Sequence, residues 1–180
     1  MITSDFVTID LAGFTISGSG VSALTAGIRA RASTPDGLLQ GLAVRNGSIS
    51  RFGAGVDLSG DGSIVEGLRV FGGLPNAVGI SATGIVKGNT VVEIAGFLGV
   101  GTGISATGVV TGNYAFGNGT GFDIGQGSTV IGNTTTDNVR AGLVVSCPSN
   151  VTDNTATGTR ELGNLVLNGE GCNNTNNVAP

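Results

Sequence analysis

Apolar and polar residues alternate in short bursts along this chain, and the bursts repeat. Val65-Glu66-Gly67-Leu68, Val86-Lys87-Gly88-Asn89, Val110-Thr111-Gly112-Asn113, Val130-Ile131-Gly132-Asn133 and Val151-Thr152-Asp153-Asn154 share one pattern. Leu39-Gln40-Gly41-Leu42 fits ahead of them and Cys172-Asn173-Asn174-Thr175 behind, with steps of 26, 21, 24, 20, 21 and 21 residues. A second marker runs in phase: Gly27-Ile28, Gly55-Val56, Gly79-Ile80, Gly103-Ile104, Gly121-Phe122 and Gly142-Leu143. The best internal copy sets Gly79-Ile-Ser-Ala-Thr-Gly84 against Gly103-Ile-Ser-Ala-Thr-Gly108. Period-2 alternation over a few residues, bounded by Gly and Asn, predicts short half-buried strands joined by turns.

A period near 21 without a helical signal admits few architectures. Leucine-rich repeats need a leucine skeleton that is missing, and propeller blades need about 40 residues each. The pattern predicts an all-β, single-stranded right-handed parallel β-helix of about seven coils, one domain over residues 1–180. Its axis would be some 30–35 Å long at roughly 4.8 Å per coil. One interior column would hold Val44, Val70, Val91, Ala115, Thr135 and Ala156. A second would hold Val65, Val86, Val110, Val130, Val151 and Cys172. Asn89, Asn113, Asn133 and Asn154 fall at one corner, where an amide can turn inward and bond to backbone and neighbour. The glycines are expected at the other corners, where positive φ costs them nothing.

Composition narrows function more than it names one. Of 180 residues 34 are glycine, yet Val151-Thr152-Asp153-Asn154-Thr155 breaks any collagen register. Mean hydropathy of +0.32 separates the chain from solvated disordered sequences. No apolar run approaches a membrane span. Eight basic against twelve acidic residues, without a basic cluster, argue against nucleic acid. The absence of His removes the commonest general base and metal ligand and any Ser-His-Asp triad.

Val7-Thr-Ile-Asp-Leu-Ala-Gly-Phe-Thr-Ile-Ser-Gly18 is similar to the first-coil signature of right-handed parallel β-helix proteins of the pectin-lyase-like superfamily. The later Val-x-Gly-Asn and Gly-Ile corners resemble that family's body repeats, and the likeness covers essentially the whole chain. It implies fold more than function, because the architecture carries lyases, hydrolases, epimerases, adhesins and inert shafts. It also implies an exported, periplasmic or cell-surface setting, although the signature begins almost at Met1 with no secretory signal ahead of it.

The paired aspartates, His and Arg-x-Lys of the family's hydrolases are missing, as is an epimerase Asp-Pro-His-Asp element. Lyases of the family need only an Arg or Lys base, often with Ca²⁺ on carboxylates. The resemblance implies Arg69 and Lys87 as the cations and Glu66 and Glu93 as the carboxylates for that chemistry. The competing reading makes Glu66 and Lys87 a cross-strand salt pair on adjacent coils, with Arg29 and Asp57 as another. The second reading is the stronger, so no cofactor or metal is expected, and Ca²⁺ enters only with the lyase alternative. Gly119-Thr-Gly-Phe-Asp123 matches part of a calcium nonapeptide, but that motif works in tandem and a single copy reads as a turn.

The outward columns carry the remaining signals. Ser81-x-Thr83 with Ser105-x-Thr107, and Thr134-x-Thr136 with Thr155-x-Thr157, form short hydroxyl arrays. They suit water ordering as on ice-binding β-helices or, more simply, the strand propensity of Thr. Phe71, Val92, Tyr114 and Phe116 are expected to project outward beside Arg45 and Arg69. Ile94, Phe97 and Leu98 of the adjacent insertion either fold over that stripe or leave it free for a polysaccharide or a second protomer. The open edge of the first coil is a second route to homo-oligomers. Cys147 and Cys172, in the last coils, form either a bridge that latches the end or two buried thiols. The leading reading is a non-catalytic scaffold or polysaccharide-binding module. A divergent or fragmentary uronate-polymer lyase, hydrolase or epimerase is the alternative.

Overall fold

The computed structural model describes residues 1–20, 25–30, 39–94 and 100–180. Seventeen strands and no helix occur among them. Every registered strand pair is parallel, and the chain winds as a right-handed β-solenoid of about six turns. This is about one turn fewer than the seven expected.

Three faces run the length of the solenoid. The glycine face stacks Ala26–Arg29, the start of Ala54–Phe71, Val78–Lys87, Thr102–Thr111, Thr120–Ile124, Ala141–Ser146 and Gly163–Asn168. The valine face stacks Ile9, Val44, Val65, Val86, Val110, Val130, Val151 and Asn174. On the third, aromatic face the inward column is Ile16, Ile49, Val70, Val91, Ala115, Thr135 and Ala156. Val44 therefore belongs to a different column from the one expected, and Ile49 takes its place. The reason is register: Val44 to Val65 and Ile49 to Val70 keep the 21-residue step, which an alignment on Leu39 does not. Phe122, Ile80, Ile104, Leu58 and Leu143 complete a fully buried core, and Ile94 belongs to it. Ile94 is thus no lid over the stripe, while Phe97 and Leu98 lie outside the described residues.

The Gly-Ile marker has a different cause from the one its composition suggests. Gly55, Gly79, Gly103 and Gly121 lie within strands and are absent from the positive-φ positions. A Cβ at Gly55 or Gly79 would sit 2.5 Å from the carbonyl oxygen of the next glycine in the column. The column is a close-approach spine, not a set of turns. Turn chemistry acts at the valine-to-aromatic corner instead, where Asn46, Gly67, Gly88, Gly112, Gly132, Asp153 and Asn176 all have φ between 56° and 62°.

The next residue at that corner carries the asparagine ladder. Asn113 accepts the Asn89 backbone N–H at 3.0 Å and donates its own amide to the Val86 carbonyl at 2.9 Å and to Asn133 Oδ1 at 2.9 Å. The ladder continues through Asn154 to Asn177. A second ladder forms where the aromatic face turns back: the Ile94 N–H donates to Asn118 Oδ1 and the Asn118 N–H to Asn138 Oδ1, each at 2.9 Å. Buried amides are satisfied coil to coil, which fixes the corner geometry.

Cys147 and Cys172 are bridged, with their Cα atoms 5.0 Å apart. Cys172 is not in the valine column, because Asn174 pairs with Val151. Left-handed Gly169 and Gly171 lie in a longer final excursion, which delivers Cys172 next to Cys147 instead. The bridge closes a separation of 25 residues, corresponding to about 3 kcal/mol in the chain-entropy picture. Reduction is expected to loosen the last coil selectively. Amides of Val151, Leu165 and Leu167 should lose hydrogen-exchange protection while those of Val86 and Val110 keep it. Equal protection with and without reductant would show that the bridge does no latching.

Candidate functional site

The sequence candidates separate onto two faces. On the valine face, Asp10, Arg45, Glu66 and Lys87 occupy successive rungs of one outward column. Glu66 accepts from Lys87 Nζ at 2.8 Å and pairs with Arg45 Nη1 at 3.3 Å. The hydrogen bond from Lys87, then the charges of Lys87 and Arg45, hold the Glu66 carboxyl below the usual range, against desolvation and the Asp10 charge. Arg29 and Asp57 are likewise in register and bonded at 2.9 Å. Lys87 could serve as a base only by giving up its bond to Glu66. Arg69 lies round the corner on the aromatic face, in a groove of about 300 Å³ with Asn46, Ser48 and Gly67. Arg69 is therefore not grouped with Glu66 and Lys87 into one constellation. Among the described residues, no three His, Cys, Asp or Glu side chains gather as a metal site.

On the aromatic face two outward columns stand side by side. One runs Ser48, Arg69, Thr90, Tyr114, Thr134, Thr155, and the other Ser50, Phe71, Val92, Phe116, Thr136, Thr157. Tyr114 and Phe116 are two residues apart on one strand, so the pleat sends both rings the same way. Their centroids lie 6.4 Å apart with planes only 9° from parallel. Phe71 is 46% exposed and Tyr114 36%. The result is an aromatic shelf with hydroxyls on the following rungs and one guanidinium in the neighbouring column. Arg45 does not adjoin it, contrary to expectation, because its register with Glu66 places it on the valine face.

A third feature escapes a residue-by-residue reading. Ser81, Thr83, Ser105, Thr107, Asp123 and Ser146 line one groove of about 310 Å³ on the glycine face. Ser81 pairs with Ser105 and Thr83 with Thr107, and Asp123 is the next rung beside Ser105. In sequence Asp123 looks like the end of the hydroxyl array; in register it is a member of the groove. The signal that could have found it is the serine-threonine column followed one rung later by Asp123 and Gly125. On the valine face, Ile85, Val109 and Ile131 are exposed apolar side chains, each about 40% accessible, with Ile85 and Val109 on adjacent rungs.

Compared with family models, curated proteins and solved structures, the chain matches none. No helix among the described residues is long and apolar enough to cross a membrane. The disulfide points to a non-cytoplasmic environment.

Proposed function

We propose that this solenoid is a non-catalytic scaffold of an exported or surface protein and that its aromatic face binds polysaccharide. The observation that carries the reading is the near-parallel, stacked Tyr114–Phe116 ring pair on a rung-ordered surface. Exposed aromatic rings offer apolar surface to the C–H side of a sugar, while the phenol and flanking hydroxyls suit its O–H groups. The shelf sits on strands, so its geometry is set by the fold with little ordering left for binding. The likeness to pectin-lyase-like repeats supports a saccharide partner, and the capture of Lys87 and Glu66 in an ion-pair ladder favours binding over catalysis.

The test is affinity electrophoresis through a panel of neutral, amino-sugar and uronate polymers. Tyr114→Ala and Phe116→Ala should each weaken retention about tenfold or more, the scale of an aromatic hot spot, with the melting profile preserved. Retention indifferent to both substitutions would remove the shelf from the reading. Appearance of an ultraviolet-absorbing unsaturated product from a uronate polymer, lost in Lys87→Ala or Arg69→Ala, would replace binding by lyase action.

A further inference from the structure

The groove on the glycine face differs in character from the aromatic shelf. Its polar lining is made of hydroxyls and a single carboxylate, Asp123. Arg29, the cation of the nearest ion pair on this face, is bonded to Asp57 at 2.9 Å. Asp57 in turn stands one rung before Ser81. Asp123 is solvent-exposed, and no described residue forms an ion pair with it.

Gly125 lines the groove at the same place. It follows Ile124, which is in register with Ala106, so it falls beside Thr107. A Cβ there would run into Thr107 Oγ1, so the absent side chain is what makes room for the Thr107 hydroxyl. Thr107, Ser146 and Asp123 line the groove with it.

Such a lining accepts hydrogen bonds and attracts positive charge. It repels carboxylates, since an anionic ligand would meet Asp123 with no cation in the groove to offset it. We infer that this groove is a saccharide subsite selective for amino sugars, with Asp123 receiving the ligand ammonium and the serine and threonine hydroxyls its O–H groups. The inference rests on the saccharide-binding reading and adds a charge preference opposite to that of a uronate-binding protein.

Calorimetric titration with three tetramers, of glucosamine, N-acetylglucosamine and galacturonate, tests it on wild type, Asp123→Asn and Tyr114→Ala. The glucosamine tetramer should bind tightest in wild type and weaken with added salt. Asp123→Asn should weaken it about tenfold and abolish most of the salt dependence, while changing N-acetylglucosamine binding less than twofold. Galacturonate binding as tight as glucosamine, or an unchanged glucosamine affinity in Asp123→Asn, overturns the inference. Binding that depends on Tyr114 but not on Asp123 overturns the groove alone and leaves the shelf standing. If no tetramer binds wild type, both proposals fall together.

Discussion

Asn113→Ala should lower the stability of the solenoid by about 4 kcal/mol, and its melting temperature by roughly 8–16 °C. The magnitude follows from what the amide leaves behind. Asn113 Oδ1 accepts the Asn89 backbone N–H and side-chain amide, both at 3.0 Å, and its Nδ2 feeds the Val86 carbonyl. Asn113 is 2% exposed, so water cannot substitute without opening the corner. The Asn89 N–H and the Val86 carbonyl are then buried without partners, at about 1–3 kcal/mol each. A small cavity adds to this. Because Asn113 donates to Asn133 Oδ1, the two positions are coupled. Asn133→Ala should cost less in the Asn113→Ala background than alone, by about 1 kcal/mol or more. Chemical denaturation of the two single variants and the double variant measures this. A loss below 1 kcal/mol for Asn113→Ala, or strict additivity, would mean that the ladder decorates the corner instead of holding it.

The ladder was legible in the sequence because its members recur one residue after a left-handed position, at a near-constant step. The same regularity exposed the Glu66–Lys87 and Arg29–Asp57 pairs, since two residues at equal phase on adjacent coils must face each other. Legibility ended where the step changed. Val44 and Cys172 were misplaced because loops of unequal length absorb residues without marking where the strand resumes. Arg45 moved to another face for the same reason, a register error that moves a side chain around the solenoid. The groove was half hidden for a different reason: its Ser81/Thr83 and Ser105/Thr107 array was legible, but Asp123 and Ser146 were not joined to it. Ser81, Thr107, Asp123 and Ser146 are scattered over 66 positions, and only stacking makes them neighbours. The glycine spine was visible but misread, because a glycine needed for close approach and one needed for positive φ look alike in a sequence.

That ambiguity yields the last expected result: Gly103→Ala should be far more damaging than Gly112→Ala, although both add one methyl group. At Gly103 the new Cβ would lie 2.6 Å from the Gly121 carbonyl oxygen and 3.0 Å from Asn118 Nδ2. The first is backbone of the adjacent coil and the second belongs to the second asparagine ladder, so neither moves without unstacking a rung. Forcing them apart should cost about 4 kcal/mol or more, beyond the usual range for overpacking, because the obstacle is backbone rather than a rotatable side chain. At Gly112 nothing lies within 4 Å of the added Cβ, and φ is 61°. The cost there is the left-handed penalty alone, about 1–2 kcal/mol. Gly112→Asn should be milder still, since Asn46 and Asn176 hold the equivalent corner at φ 58° and 56°. Soluble yield and thermal melts of the three variants give the order. Wild-type-like melting of Gly103→Ala, or a Gly112→Ala as damaged as Gly103→Ala, would show that the coils are looser than their glycine spine requires.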